Sequence, residues 1–226
     1  MRLPFVDLSP EEDGDWFLRS VQFYKGTPGA PNPVTCHTCH PDHGSHGLVS
    51  PKAPPALWRA GDTGPWGSKG NNASLSNLVQ ATFNAHGIFA GPPTPVSVNT
   101  IVAFLENDAP APPSPFVEAD GSLGPDALAG QALFEGAAGC VACHAPPLYI
   151  PPAGSPATIA AGVGTGLVPA NVPSLLGVGA SAPYFNNNGA PTLEDVLLQN
   201  AGDQHGTTST LSAQQRAQLV AFLKSL

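Results

Sequence analysis

All four cysteines of the chain fall in two pentapeptides, Cys36-His-Thr-Cys39-His40 and Cys140-Val-Ala-Cys143-His144, so none is left over for another purpose. Two thiols three residues apart, followed at once by a histidine, suit one chemistry closely. On a single helical turn both sulfurs reach the two vinyl groups of a porphyrin, and the adjacent imidazole meets the iron from the same side. C-x-x-C-H is accordingly the haem-attachment pattern. A four-cysteine zinc site leaves both trailing histidines without a role, and a redox C-x-x-C belongs with a thioredoxin-like βαβ order. Simple disulfides give no reason for a histidine after each pair. The expectation is two c-type haems held covalently by Cys36, Cys39, Cys140 and Cys143, with His40 and His144 as proximal iron ligands.

The elements that must position these groups occur twice. Pro55-Ala-Leu57 matches Pro173-Ser-Leu175, Gly61 matches Gly179, and Pro65-Trp66 matches Pro183-Tyr184. Ser74-Leu75 matches Thr192-Leu193 and Val102-Ala-Phe-Leu105 matches Val220-Ala-Phe-Leu223, every pair at one offset (173 − 55 = 118). The cysteine motifs are closer (140 − 36 = 104), so the second half carries 14 extra residues in a Pro/Gly/Ala-rich loop within 145–172. Each half reads as a helix, a haem motif, a long loop, a short helix and a closing helix.

Helical spacing supports that order. Trp16, Phe17, Val21 and Phe23 mark an N-terminal helix, and Ile101, Phe104 and Leu105 mark the closing helix of the first half. Leu128, Leu133 and Phe134 precede the second motif, and Leu219, Phe222, Leu223 and Leu226 form an i, i+3, i+4, i+7 stripe at the C-terminus. Ser212 and Gln215 form a capping-box signature for that last helix. Ala109-Pro-Ala-Pro-Pro-Ser-Pro115 is a semi-rigid spacer. The division expected is a first haem domain at 1–110, a Pro-rich linker at 111–120 and a second haem domain at 121–226.

The sixth iron ligands are harder to find. Met1 is the only methionine, which excludes His/Met ligation unless the N-terminus folds back onto an iron. Beyond the Ser74-Leu75 and Thr192-Leu193 match, each half has a His-Gly, His86-Gly87 and His205-Gly206, at an offset within one residue of the repeat (205 − 86 = 119). The hypothesis is that His86 and His205 are the distal ligands, giving two bis-histidine, low-spin haems; the competing reading makes both solvent-exposed loop residues. His37 lies between two cysteines and is expected to face solvent. His43 and His46 are open to service as an alternative distal ligand, a ligand to a neighbouring haem or a surface metal ligand. Having no ligand role fits best so soon after a proximal histidine. Trp58, Trp66 and Tyr184 either assist electron tunnelling between haems or pack on them, packing being the commoner use.

Composition sets the surroundings. Only 11% of residues are charged and the net charge is -8, which gives no electrostatic reason to bind nucleic acid or an anionic membrane and better suits a basic redox partner. The 25 glycines and 27 prolines imply short helices joined by long, stiff loops, while 42% apolar residues are too many for a disordered chain. No apolar run is long enough for a membrane span. The start, Met1 to Trp16, lacks the charged and apolar regions of a signal peptide. Because covalent haem attachment takes place outside the cytoplasm in bacteria, the expected location is periplasmic or extracellular, with an export signal removed or a longer precursor.

The order of parts resembles two class I cytochrome c domains in tandem: a mainly α fold with long Pro/Gly-rich loops, each domain wrapping one covalent haem. Ala127-Leu-Ala-Gly-Gln-Ala-Leu-Phe134, the Cys140 motif, Val172-Pro-Ser-Leu-Leu176, Ala182-Pro-Tyr-Phe185, Thr192-Leu-Glu-Asp-Val196 and Val220 to Leu226 are similar to the C-terminal domain of bacterial dihaem cytochrome c peroxidases. Cys36–Pro41 and Pro54–Trp66 carry the resemblance in the first half. The resemblance implies peroxide reduction at one haem with electrons relayed through the other, or a related oxidation. It also implies a calcium ion between domains, held partly by backbone carbonyls, here around Ser181 and Pro183, although no acidic cluster marks the place.

The chain departs from that pattern. No Asp or Glu lies between Thr63 and Leu105, where distal groups of the first haem belong, and Asn186 follows the A-P-Y-F motif where the family often has His. The place of the family's Met or Tyr ligand holds Asn200, and its counterpart is Thr82. The leading expectation is therefore electron transfer to and from redox protein partners. Peroxidase or oxidase activity is the alternative, and a further one is an electron-conducting subunit of a larger respiratory or extracellular assembly.

Overall fold

A computed structural model of the chain describes residues 35–44, 54–86, 95–107, 109, 111–156, 158, 159 and 170–226. The helix expected around Trp16 to Phe23, together with Met1 and His46, lies outside them. The described part is mainly helical, with α1 (Cys36–Cys39), α2 (Leu75–His86), α3 (Pro95–Asn107), α4 (Pro125–Glu135), α5 (Leu193–Leu198) and α6 (Ala213–Ser225). One antiparallel pair, β1 (Thr158–Ile159) and β2 (Ala170–Asn171), lies in the extra loop of the second half.

Buried side chains gather in two clusters. Leu75, Val79 and Phe83 from α2 meet Val98, Ile101, Phe104 and Leu105 from α3, with Cys36 packed against the group. In the second, Phe134 from α4 meets Leu193 and Leu197 from α5 and Leu219, Phe222 and Leu223 from α6, with Cys140 packed against it. The C-terminal stripe thus forms as its spacing predicts, Leu226 lying half-buried beyond the helix end. Leu128, Leu133 and Phe134 lie on α4 as expected; Leu128 is 53% exposed, and Ala127, Gly130 and Phe134 make the buried face. Gly130 sets how closely the helices cross, since a β-carbon there would lie 2.0 Å from the Gln218 carbonyl oxygen of α6.

Ser212 and Gln215 form the expected capping box: Gln215 N donates to Ser212 Oγ at 3.2 Å and Ser212 N to Gln215 Oε1 at 2.9 Å. Thr192 and Asp195 cap α5 in the same way. Each box satisfies backbone donors that a helix start leaves open.

The 118-residue offset recurs in contacts. Trp66 Nε1 donates to the Ala60 carbonyl at 2.6 Å, and 118 residues later Tyr184 OH donates to the Val178 carbonyl at 3.0 Å. A β-carbon on Gly61 would meet Cα of Glu106, and one on Gly179 would meet Cα of Lys224, again 118 residues on. Indole and phenol thus do one job from one place, closing a loop that packs on the end of a closing helix. The second helix of each set breaks the rule: α2 runs 12 residues from Leu75, whereas α5 stops 6 residues after starting at Leu193.

The linker is tied at both ends. Ala109 is buried with the first cluster and its carbonyl accepts from Arg59 N at 2.7 Å, while Ser114 Oγ donates to the Lys224 carbonyl of the second half. The hairpin of the extra loop also joins the halves, Asn171 giving its backbone N–H to the Ser68 carbonyl and its side-chain amide to the Pro65 carbonyl, each at 3.0 Å.

Candidate haem sites

The second cysteine motif is a tight turn, Cys140–Ala142, in which the His144 N–H donates to the Cys140 carbonyl at 3.0 Å. His144 is buried, 7% exposed, and its Nδ1 stands 3.2 Å from the Tyr149 carbonyl oxygen. A carbonyl can only accept, so Nδ1 carries the proton and Nε2 keeps its lone pair. Burial, and then the proximity of His205, push its pKa down to about 4, so the ring is neutral at ordinary pH. A neutral imidazole with its tautomer fixed by a backbone carbonyl is what a metal ion requires of a histidine ligand.

His205 faces it. The two ring centres are 6.3 Å apart with 64° between their planes. A metal–imidazole bond of about 2.0 Å plus about 1.2 Å from nitrogen to ring centre puts two imidazoles sharing one metal about 6.4 Å apart. The observed ring separation matches that distance. His205 is exposed on one side, but the protein around it desolvates the ring enough to lower its proton affinity. Phe185 lies 6.5 Å from it, centre to centre.

The loop carrying His205 is pinned from two directions. Gly206 has φ +71°, and a β-carbon there would come 2.7 Å from the Ala138 carbonyl oxygen, so glycine alone fits the close approach to the haem motif. Thr207 N donates to the same carbonyl at 2.9 Å. From inside, Asn200, 5% exposed, bonds the backbone on both sides of the ring, and Asp203 collects Thr208 N, Ser209 N and Ser209 Oγ.

The first motif repeats the design. In α1 the His40 N–H donates to the Cys36 carbonyl at 2.8 Å, and His40 Nδ1 lies 3.3 Å from the Gly44 carbonyl. Gly44 is buried beneath the indole of Trp58, whose Nε1 donates to the Asp42 carbonyl at 3.0 Å. The far side of that indole abuts Gly177, where a β-carbon would stand 2.4 Å from the ring. Trp58 therefore spans from the first motif's loop to the second half. His86 closes α2, and its side chain and that of His43 lie outside the described part. His37 differs from expectation: it is half-buried, with an Nδ1 that is out of solvent and makes no hydrogen bond.

All four thiols are unpaired. Burial pushes Cys36 up to about 12, with Cys39 adding to the effect, and pushes Cys140 up to about 11. Among the described residues no group of three or more His, Cys, Asp or Glu side chains is arranged to hold a metal ion. Sequence reasoning named Asn200 only as a departure from the family's ligand, and missed its bonding role together with Asp203 and Thr208. Their signal was the small polar residues concentrated around His205, which is what a loop satisfying its own backbone needs.

Comparison with known proteins agrees with this chemistry. Residues 127–226 match the model of the cytochrome c family, so the second half carries a cytochrome c domain, the kind that binds haem c covalently. Hydrazine synthase subunit gamma of Kuenenia stuttgartiensis is 31% identical over 156 residues, taking in 50% of this chain and 44% of that protein, so the chain spans less than half the length of that relative. Among solved structures, hydrazine synthase of the same organism aligns with 99% of this chain and 89% of its own, at a TM-score of 0.70 and 19% identity. A MauG-like protein associated with microbial copper homeostasis aligns with 100% and 91%, at 0.67 and 18%. At those identities the likeness is one of fold, and it extends over both halves.

Proposed function

We propose that the chain is a dihaem c-type cytochrome that transfers electrons, built as two haem domains at 1–110 and 121–226 joined by residues 111–120. The observation that carries this reading is the His144–His205 pair, 6.3 Å apart beside an attachment motif. A haem held there supplies an iron that takes up and returns one electron. His144 would contribute a neutral nitrogen, oriented by the Tyr149 carbonyl, and His205 would supply the second nitrogen. If both imidazoles hold the iron, no position on it would be left for peroxide. His86 is proposed for the same role in the first domain. Trp58, packed between the first motif's loop and Gly177, gives the two halves a shared aromatic ring.

No helix among the described residues is long and apolar enough to cross a membrane. Covalent haem supports export to the periplasm or beyond, and the net charge of -8 supports a basic redox partner. A second reading, an electron-conducting subunit of a larger assembly, is favoured by the similarity to a protein named as a synthase subunit.

Intact-protein mass spectrometry tests the cofactor count, with two covalent haems expected in the wild type and one after replacing Cys140 and Cys143 by serine. Alanine at His86 or His205 tests ligation, each variant being expected to turn one haem high-spin. Unchanged visible spectra in both would end the bis-histidine reading, and peroxide turnover by the wild type would favour an enzyme.

A further inference from the structure

We infer that Asn200 is the positioning residue for the distal ligand of the second haem: it ends α5 early and fixes the backbone of His205–Gly206 opposite His144. The inference rests on the ligation proposed above and says why the second half reaches it.

The side chain is nearly out of solvent, 5% exposed, and both ends of its amide are used. Nδ2 donates to the His205 carbonyl at 3.1 Å, the Gly206 carbonyl at 2.8 Å and Thr208 Oγ1 at 2.9 Å. Oδ1 accepts from His205 N at 2.7 Å. The network fixes the orientation of the amide, because two carbonyls can face only the NH2 and an N–H only the oxygen. Thr208 is locked in turn, its hydroxyl donating to the Leu197 carbonyl of α5 at 3.1 Å. Asn200 thus grips the backbone on both sides of the His205 ring, and Thr208 ties that grip to α5.

The first half supplies an internal control. Thr82, 118 residues earlier, sits in the middle of α2, exposed, with its hydroxyl returned to the Leu78 carbonyl of its own helix at 2.9 Å. There the helix runs on to His86; in the second half it ends at Leu198 and the chain folds back across the haem motif. Asparagine favours that outcome because its amide offers the backbone an alternative to the next helical turn.

Asn200→Asp is the informative variant, having the same shape but two oxygens where the carbonyls of His205 and Gly206 need a donor. Ferric electron paramagnetic resonance is expected to show the second haem partly or wholly high-spin, returning to low-spin when imidazole is added to fill the released position. Thr208→Val, which removes one of the four partners, is expected to shift the same signal less and serves if the aspartate variant does not fold. If both folded variants keep the wild-type low-spin signal and midpoint potential, Asn200 does not position the ligand. If His205→Ala also keeps that signal, the ligation itself is wrong, so the two failures are distinguishable.

Discussion

At the scale of single residues, the sites work by removing alternatives. His144 is buried, neutral and bonded at Nδ1, so Nε2 is the one nitrogen left to bind iron. His205 is held by its neighbours, and Gly206 is the tightest point, with φ +71° and the Ala138 carbonyl in the space of a side chain. Gly206→Ala is expected to lift the loop and give a mixture of low- and high-spin second haem, read from the visible spectrum. Trp58→Phe keeps most of the packing but removes the indole N–H that donates to the Asp42 carbonyl, with an expected loss of about 0.5–1.5 kcal/mol in chemical denaturation. The two Cys-x-x-Cys-His motifs were legible in the sequence because that pattern fixes both residue type and spacing. The bonding role of Asn200, Asp203 and Thr208 was not, since a hydrogen-bond network among small polar residues has no fixed spacing.

Among the elements, the crossing of α4 and α6 is the tightest contact. Gly130→Ala would put a methyl 2.0 Å from the Gln218 carbonyl and 2.8 Å from Cβ of Phe222, so the helices must separate. The expected loss is at or above the upper end of the about 1–3 kcal/mol typical of overpacking, measured by urea titration of the haem protein. Apolar periodicity and the Ser212–Gln215 box made α6 readable, because both signals are local. The helix around Leu128 was readable but its buried face was not, because one apolar residue at a helical interval does not say which face is buried, and α4 turns its small residues, Ala127 and Gly130, inward. The different lengths of α2 and α5 were illegible for another reason. They depend on Asn200 finding partners up to 8 residues downstream, which the local pattern does not contain.

For the whole molecule, two clusters, a linker tied at Ala109 and Ser114, and the Asn171 contacts to Ser68 and Pro65 hold the halves together. The 118-residue repeat made this duplication visible beforehand, whereas the tying role of the extra loop was not, since it depends on where its hairpin lands. A net charge of -8 favours steering toward a basic donor or acceptor. The second-order rate constant with a cationic redox protein is expected to fall steeply as ionic strength rises from about 0.01 to 0.15 M, where the screening length shrinks from about 30 to about 8 Å. An unchanged rate would remove charge from the account of partner choice. The most direct measurement is electron paramagnetic resonance of the ferric wild-type protein, which reads both irons at once. Two low-spin bis-histidine signals are the result expected of an electron carrier; a high-spin, five-coordinate haem in the resting protein would contradict it.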